Sequence, residues 1–182
     1  KIYNRFIFWL YIRFSKVNQI STIKKSKKMK LLSPEMKQKI ADTLTKLLAD
    51  EHILYLKTRN AHWNVEGPDF QTIHVYFESL YNELQIVIDD VSEKIRQKDV
   101  YAPATMTEYL QLAHLSEARK SDKKDSLSFI ADLLHDHEVI IDFLAQAVVE
   151  LEEFHDISTS DFLVGLLEQH QKTAWMLRSH LK

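Results

Sequence analysis

The sequence of 182 residues lacks cysteine, and it contains only 2 glycines and 3 prolines. Without cysteine the chain has no disulfides, no thiolate metal ligands and no cysteine nucleophile. The scarcity of glycine and proline excludes an all-β fold with many hairpin turns, and it favours long, uninterrupted helices. Hydrophobic residues make up 45% of the chain, so we expect a folded domain with a sizeable core rather than a disordered chain.

Acidic residues are missing from the start of the chain. Residues 1–30 contain nine Lys or Arg and no acid, whereas the rest of the chain has a net charge of −11. The apolar run FIFWLYI is too short to span a bilayer, and we expect no membrane partner. Three interpretations stay open: the core of a weak signal peptide, a basic arm for nucleic acid or a membrane surface, or non-native upstream sequence. We favour the last, with Met29 as the natural start.

Helical spacing of apolar residues dominates the remaining sequence. Ser33 is suited to cap a first helix that begins at Pro34 and runs to about residue 63. The tripeptide EGP then predicts a turn. A second helix is expected from about Pro68 to Lys98, a length of roughly 45 Å at 1.5 Å per residue.

The second half of the chain predicts two further long helices after a long connection. The connection has room for one short helix around TMTEYLQLA, capped by Thr105 or Thr107. A third long helix is expected over residues 124–153, and a fourth from Ser158 or Ser160 to the end. The predicted inner stripe of the third comprises Leu127, Ile130, Leu133, Leu134, Ile140, Ile141, Leu144 and Val148. We therefore predict an all-α four-helix bundle.

Four ligand-type side chains share one face of the second helix. At about 100° per residue they fall within roughly 100° of one another. They are His74, Glu78, Asp89 and Glu93. Acids on a helix are usually a solvated face, but apolar residues cover most of this helix, which indicates burial on more than one side. Buried acids are costly unless they are paired or bind metal.

A single copy of this helix cannot close a metal site. His74 and Asp89 are separated by roughly 22 Å along the axis, whereas a ligand atom lies about 2 Å from its metal. His74 with Glu78 therefore forms one half-site, and Asp89 with Glu93 forms another. His62, just before the EGP turn, is expected at the same height as His74.

Two antiparallel copies of the helix would bring each half-site against its complement. The two-fold axis would pass near residues 83 and 84, and the symmetry would create two identical sites. Each site would take two His and one Glu from one chain, and one Asp and one Glu from the other. Imidazole and carboxylate ligands suit iron, manganese or zinc.

The stretch AHWNVEGPDFQTIHVYFESLYNELQIVIDDVSEKI closely resembles the Dps family of mini-ferritins, the DNA-binding proteins from starved cells. The resemblance covers about residues 35–182 and includes DISTSDFLVGLLEQHQKTAWMLRSHL near the end. It implies a ferritin-like four-helix domain over residues 33–182, after a basic aromatic extension over residues 1–32. The family's ferroxidase ligands match His62, His74, Asp89 and Glu93. The position of Glu78 is commonly Asp in the family.

The resemblance also implies a function. Family members assemble into a hollow shell of twelve subunits, built here from two-fold dimers. They oxidise Fe(II), preferentially with hydrogen peroxide, store ferric mineral inside and protect against oxidative stress. We therefore expect a ferroxidase in the cytoplasm, with association with the nucleoid as the alternative, that binds iron at two sites per dimer, each able to hold two irons. Trp63 is either an electron donor beside the site or an interface residue.

Two further features carry separate expectations. Family members line their three-fold pores with acids near the break between the last two helices. The matching residues here are Glu152, Asp156 and Asp161. The alternative is helix-end chemistry, with Asp156 or Ser158 as a cap. DNA binding is expected only if the basic extension is native, and the alternative function is a DNA-compacting or interaction shell with structural metal.

Two local motifs are not expected to be sites. HDHE at residues 135–138 places two histidines on different sides of a helix, so we expect this segment at the surface. EEFH supplies the pair Glu152 and His155. A di-iron centre inside one bundle uses two such Glu-x-x-His pairs and two further Glu, which disfavours that kind of centre here.

Overall fold

The computed structural model describes residues 32–182, which form five helices joined by turns and one long connection. Within that range no β-strand is present, and only an isolated bridge joins Glu66 and Asp125. Predictions for the N-terminal extension fall on residues outside this range, apart from its last residue. The helices are α1 (Pro34–Asn64), α2 (Phe70–Arg96), α3 (Met106–Leu112), α4 (Ser126–Glu153) and α5 (Ile157–His180).

The four long helices pack as two hairpins around a shared apolar core. α1 packs along α2, α4 packs along α5, and α1 also contacts α3 and α4. The largest fully buried side chains include Phe77, Phe129, Ile40 and Leu44. This arrangement confirms the predicted all-α bundle with a short helix in its long connection.

Local capping chemistry explains where the helices begin. The Ser33 hydroxyl accepts a hydrogen bond from the Met36 N–H at 3.3 Å, and Pro34 occupies the first helical position. The short α3 is capped by Thr105, which forms a reciprocal capping box with Glu108. Both caps agree with the sequence-based expectations.

Two predicted boundaries and one predicted core residue need correction. α2 begins at Phe70 rather than Pro68, because the turn extends through Asp69. α5 begins at Ile157, because Asp156 rather than a later serine caps it. Leu127, predicted on the inner stripe of α4, is 53% exposed, since it lies on the outer side of a first turn whose inner side carries the buried Ser126 and Ile130.

The long connection is anchored to the bundle by buried charges. Asp50 of α1 accepts the backbone N–H groups of His114 at 2.7 Å and Leu115 at 2.9 Å, and it also pairs with the His114 ring. Lys57 donates to the Ser116 carbonyl at 3.2 Å and pairs with Asp136 at 2.5 Å. These bonds satisfy polar groups that would otherwise be buried at a cost. Among the helices of residues 32–182, none is both long and apolar enough to cross a membrane.

Candidate metal centre

Two histidines face each other across the α1–α2 hairpin. His62 lies in the last turn of α1, His74 lies in α2, and their rings stack with centroids 3.8 Å apart. The Nδ1 of His62 is 2.9 Å from the His74 carbonyl oxygen, and the Nδ1 of His74 is 2.8 Å from the His62 carbonyl oxygen. The expected equal height of the two residues is therefore observed.

The reciprocal bonds determine which ring nitrogen is free. A carbonyl oxygen can only accept, so each Nδ1 must carry the proton and donate it. Each neutral ring then keeps its lone pair at Nε2, the nitrogen available to a metal ion. Backbone carbonyls commonly orient metal-binding histidines in this way. The histidine pair thus fits a metal ion in tautomer as well as in residue type.

A glycine turn holds the two histidines in register. Gly67 has φ of +134°, a conformation that residues with a side chain rarely adopt. A Cβ at this position would also lie 3.3 Å from the Asp69 Oδ1. The turn is tied to the start of α4 by the Glu66 N–H, which donates to the Lys124 carbonyl at 2.8 Å.

The three carboxylates of the candidate site are exposed on α2. Glu78, Asp89 and Glu93 all lie at the surface of the single chain. The Tyr81 hydroxyl approaches Glu78 at 3.4 Å, and Asp89 lines an open groove between α2 and the connection. Within residues 32–182, no three His, Asp or Glu side chains converge to hold a metal ion. The histidine pair and the acids Asp89 and Glu93 therefore lie apart in the described chain.

An aromatic cluster surrounds the histidine pair. The Arg59 guanidinium lies 4.6 Å from the Tyr81 ring centre and 4.8 Å from that of Trp63. Tyr81 also meets His62 edge-on at 5.1 Å. Trp63 is 61% exposed while its neighbour His62 is 8% exposed. Trp63 therefore lies outside the core of the single chain, beside the histidine half-site.

The acids at the α4–α5 break divide into two groups. Asp156 is buried, caps α5, and pairs with Lys98 at 2.6 Å. Burial acts to raise the pKa of Asp156, but hydrogen bonds from Lys98 and Thr159 outweigh it and the net pKa is lowered. These contacts are those expected if Asp156 acts as a helix cap, which was the alternative to a role in the pore. Glu152 and Asp161 are exposed, so their carboxylates are available for the predicted pore.

A buried polar cluster lies on α4, where the HDHE motif predicted a surface segment. That prediction was wrong, because within residues 135–138 Asp136 and His137 are buried and only His135 is exposed. The spacing contained the signal. Position 137 lies four residues after Leu133 and three before Ile140, both on the predicted inner stripe.

Comparison with known proteins agrees with this architecture. The chain matches the ferritin-like domain model over residues 41–182. It is 38% identical over 152 residues to a low temperature-induced protein of Nostoc sp., covering 83% of this chain and 84% of that relative. It is 34% identical over 146 residues to DNA protection during starvation protein 2 of Bacillus anthracis, covering 80% of this chain and 99% of that relative.

Solved structures of Dps proteins share the fold. Dps from Vibrio cholerae O1, described as a ferritin-like diiron-carboxylate protein, superposes with a TM-score of 0.79 at 29% identity and covers 83% of this chain and 94% of its own. Dps from Bacillus brevis gives 0.76 at 30% identity, with coverages of 80% and 97%. The chain therefore belongs to the ferritin-like proteins and, within that class, to the Dps family.

Proposed function

We propose that this protein oxidises Fe(II) at sites shared between two subunits and stores the ferric product. One observation carries the proposal: the histidine pair is bonded in the tautomer that a metal requires, yet the described chain supplies no complete ligand set around it. Membership of a class that includes diiron-carboxylate proteins makes iron the expected substrate. Nitrogen and oxygen ligands without thiolate suit this ion.

A two-fold dimer would complete each site. In this arrangement His62, His74 and Glu78 of one subunit face the partner subunit's Asp89 and the partner subunit's Glu93. The axis passes near residues 83 and 84, halfway along the ligand-bearing part of α2. The exposure of α2 acids in the single chain supports this pairing, because they are free to meet another subunit.

The proposed histidine and carboxylate ligands have different roles in the reaction. The Nε2 lone pairs of His62 and His74 bind Fe(II), and the carboxylates offset its positive charge. Two Fe(II) lose one electron each to hydrogen peroxide, whose O–O bond breaks to give two hydroxide ions. Because both electrons arrive together, no hydroxyl radical is released. We expect peroxide to be preferred over dioxygen.

The assembled particle would be a hollow shell of twelve subunits with acidic pores. Exposed Glu152 and Asp161 would give Fe(II) a negative entry path, while Asp156 would contribute mainly by fixing the start of α5. Trp63 would supply an electron when only one Fe(II) reaches a site. Its exposure beside His62 supports that role.

Iron oxidation is tested anaerobically on the assembled protein. Fe(II) is loaded, hydrogen peroxide is added, and ferric absorbance is followed together with the iron retained in the particle. Asp89→Ala should slow oxidation at least about a hundredfold, because it removes a direct ligand. Asp90→Ala is the matched control, since its side chain points about 100° away from that of Asp89. Oxidation by the wild type no faster than in buffer would overturn the proposal.

The alternative function, a DNA-compacting shell, makes a different prediction. The net charge of −11 outside residues 1–30 should repel phosphate, whereas the basic segment should attract it. A gel shift with and without residues 1–28, at low and high salt, separates the two functions. Salt-sensitive DNA binding together with absent iron oxidation would favour the alternative.

A further inference from the structure

Arg59 lies inside a cage of three aromatic side chains beside the histidine pair. Its guanidinium carbon is 4.6 Å from the ring centre of Tyr81, 4.8 Å from that of Trp63 and 5.6 Å from that of Tyr55. The Arg59 Nη1 also donates to the Tyr55 hydroxyl oxygen at 2.9 Å. The Tyr81 ring in turn meets the His62 ring edge-on at 5.1 Å. One cation is therefore held against three oxidisable rings next to the proposed iron site.

The charge of Arg59 is not neutralised by a carboxylate. Among the ion pairs of residues 32–182, Arg119 pairs with Asp132 and Arg178 pairs with Glu138, but no acid lies within salt-bridge distance of Arg59. An arginine side chain stays charged at physiological pH. Because Arg59 is half-buried, water and salt screen its charge less than they screen a fully exposed one. Its positive charge therefore acts on the rings around it.

A cation over an aromatic face favours the reduced ring over the oxidised ring. The electron-rich face of a neutral indole or phenol attracts the guanidinium. Removal of one electron makes the ring positive, and the same contact then becomes repulsive. Arg59 should therefore make Trp63 and Tyr81 harder to oxidise than the same side chains without a neighbouring cation.

A second tryptophan provides an internal reference for this effect. Trp175 on α5 is 62% exposed and Trp63 is 61% exposed, so the two rings are equally open to solvent in the single chain. Within the described part of the chain, a guanidinium lies over the ring of Trp63, whereas no Lys or Arg lies over that of Trp175. The ratio of oxidation at the two tryptophans can therefore report the influence of Arg59.

We propose that Arg59 is a positioning residue whose charge restricts Trp63 and Tyr81 to giving electrons to strong one-electron oxidants. It acts through the two rings and binds no iron itself. The electrostatic effect belongs to the metal-free chain, and only its role in turnover rests on the proposed ferroxidase. In that role Arg59 spares the rings during normal iron oxidation and still allows Trp63 to react with a hydroxyl radical.

The two courses of the peroxide reaction differ in what they require of Trp63. When two Fe(II) reduce one hydrogen peroxide to two hydroxide ions, no electron is needed from the protein. When a single Fe(II) meets hydrogen peroxide, the products are Fe(III), one hydroxide ion and one hydroxyl radical. That radical takes one electron and the indole N–H proton from Trp63 and becomes water. The charge of Arg59 thus discourages loss of the ring in the first course without blocking its use in the second.

Chlorine dioxide tests the electrostatic effect in the absence of iron. It is a neutral one-electron oxidant, so its approach does not depend on the charge at residue 59, and the chain has no cysteine to compete for it. Metal-free assembled particles receive a limiting amount, and peptide mass spectrometry gives the ratio of oxidised Trp63 to oxidised Trp175. Arg59→Met, which removes the charge but keeps a long side chain, should raise this ratio about threefold or more. An unchanged ratio would overturn the proposal.

Arg59→Lys separates charge from packing. Lys and Met both have unbranched side chains, and only Lys is charged. The ratio in Arg59→Lys should stay within about twofold of the wild-type ratio. A rise as large as that in Arg59→Met would show that packing protects Trp63, which would contradict the proposal. If Arg59→Met does not assemble, Arg59→Gln is neutral, can still donate to Tyr55, and should show the same rise.

Repeated turnover tests the role in the proposed reaction. With two Fe(II) per site and one peroxide per two Fe(II), Arg59→Met should accumulate oxidised Trp63 about threefold faster than the wild type. Equal damage in the two proteins at equal iron oxidation would overturn the role in turnover. If neither protein oxidises iron, the ferroxidase proposal fails, whereas the chlorine dioxide ratio still decides whether Arg59 protects the rings.

Discussion

The two halves of the proposed iron site differ in how much of their geometry a single chain fixes. The histidine half is complete within one subunit: His62 and His74 stack, bond each other's backbone and hold one tautomer. The carboxylate half is exposed, and Asp89 and Glu93 have no counterpart nearby in the described chain. Folding of one chain thus orients the two imidazoles, whereas in the proposed dimer two of the three carboxylates are the partner subunit's Asp89 and the partner subunit's Glu93.

Among variants that leave every proposed ligand in place, the largest effect is expected from the turn that joins the two histidines. Gly67→Ala places a side chain at φ of +134°, which costs about 1–3 kcal/mol and displaces the turn that aligns the histidines. We expect a lower unfolding temperature and iron oxidation slowed about tenfold. Thermal unfolding and the anaerobic peroxide assay measure the two effects.

Gly165→Ala provides the matched control for this glycine. Gly165 lies within α5, where no atom lies within 4 Å of an added Cβ. The substitution should be neutral or stabilising by about 0.5–1 kcal/mol, because alanine favours the helix. Equal losses in both variants would show that the Gly67 conformation does not matter to the site.

A smaller effect is expected at the α4–α5 break, where Asp156 is buried and Asp161 is exposed. Because Asp156 pairs with Lys98 and caps α5, Asp156→Asn should lower the free energy of unfolding by about 1–3 kcal/mol at neutral pH. Asp161→Asn, at an exposed position, should cost little stability and should instead slow iron uptake.

The pH dependence of the stability loss in Asp156→Asn gives an independent check. The pKa of Asp156 is lower in the folded chain than in the unfolded chain. Its contribution to stability is therefore present above the unfolded pKa of about 4 and is lost as the pH falls through the folded pKa. The free-energy difference between wild type and Asp156→Asn should shrink below about pH 4. A difference that stays constant down to pH 2 would contradict this account.

The smallest effect on the rate of iron oxidation is expected from substitution of Trp63, which lies beside the histidine pair. Trp63→Phe should leave two-electron oxidation almost unchanged, since both electrons then come from iron. With one Fe(II) per site, however, peroxide should oxidise Trp63 before Trp175, which is also exposed but lies on α5. Peptide mass spectrometry measures the added oxygen at each tryptophan. Equal oxidation of both residues would favour a packing role for Trp63.

The sequence predicted the bundle well because long helices leave clear periodic signals. Ser33 caps one helix through a local bond and Pro34 begins it with a fixed φ, as predicted, and the structure shows that Thr105 rather than Thr107 caps α3. The 12-residue spacing of His62 and His74 also encoded their contact, because a short turn joins two antiparallel helices. Their reciprocal carbonyl bonds, which fix the tautomer, are a tertiary feature that spacing alone does not contain.

Other features were hidden because they depend on packing partners distant in sequence. Asp136 and His137 look like surface residues until Lys57 and His170 are brought beside them by α1 and α5. The start of α5 is a different case, because Asp156 caps it through the nearby Thr159 N–H, and the sequence had offered Asp156 as a cap. Helical spacing thus indicates that His137 faces the core, but its polar partner is known only once the facing helix is known.

Subunit mixing is the most direct test of the shared site. One variant carries His62→Ala and His74→Ala, the other carries Asp89→Ala and Glu93→Ala, and each alone should be inactive. After equal mixing, dissociation and reassembly, half of the dimers pair the two variants, and each such dimer contains one intact site. The account predicts recovery of about a quarter of the wild-type oxidation rate. No recovery in assembled mixed particles would contradict a site shared between subunits.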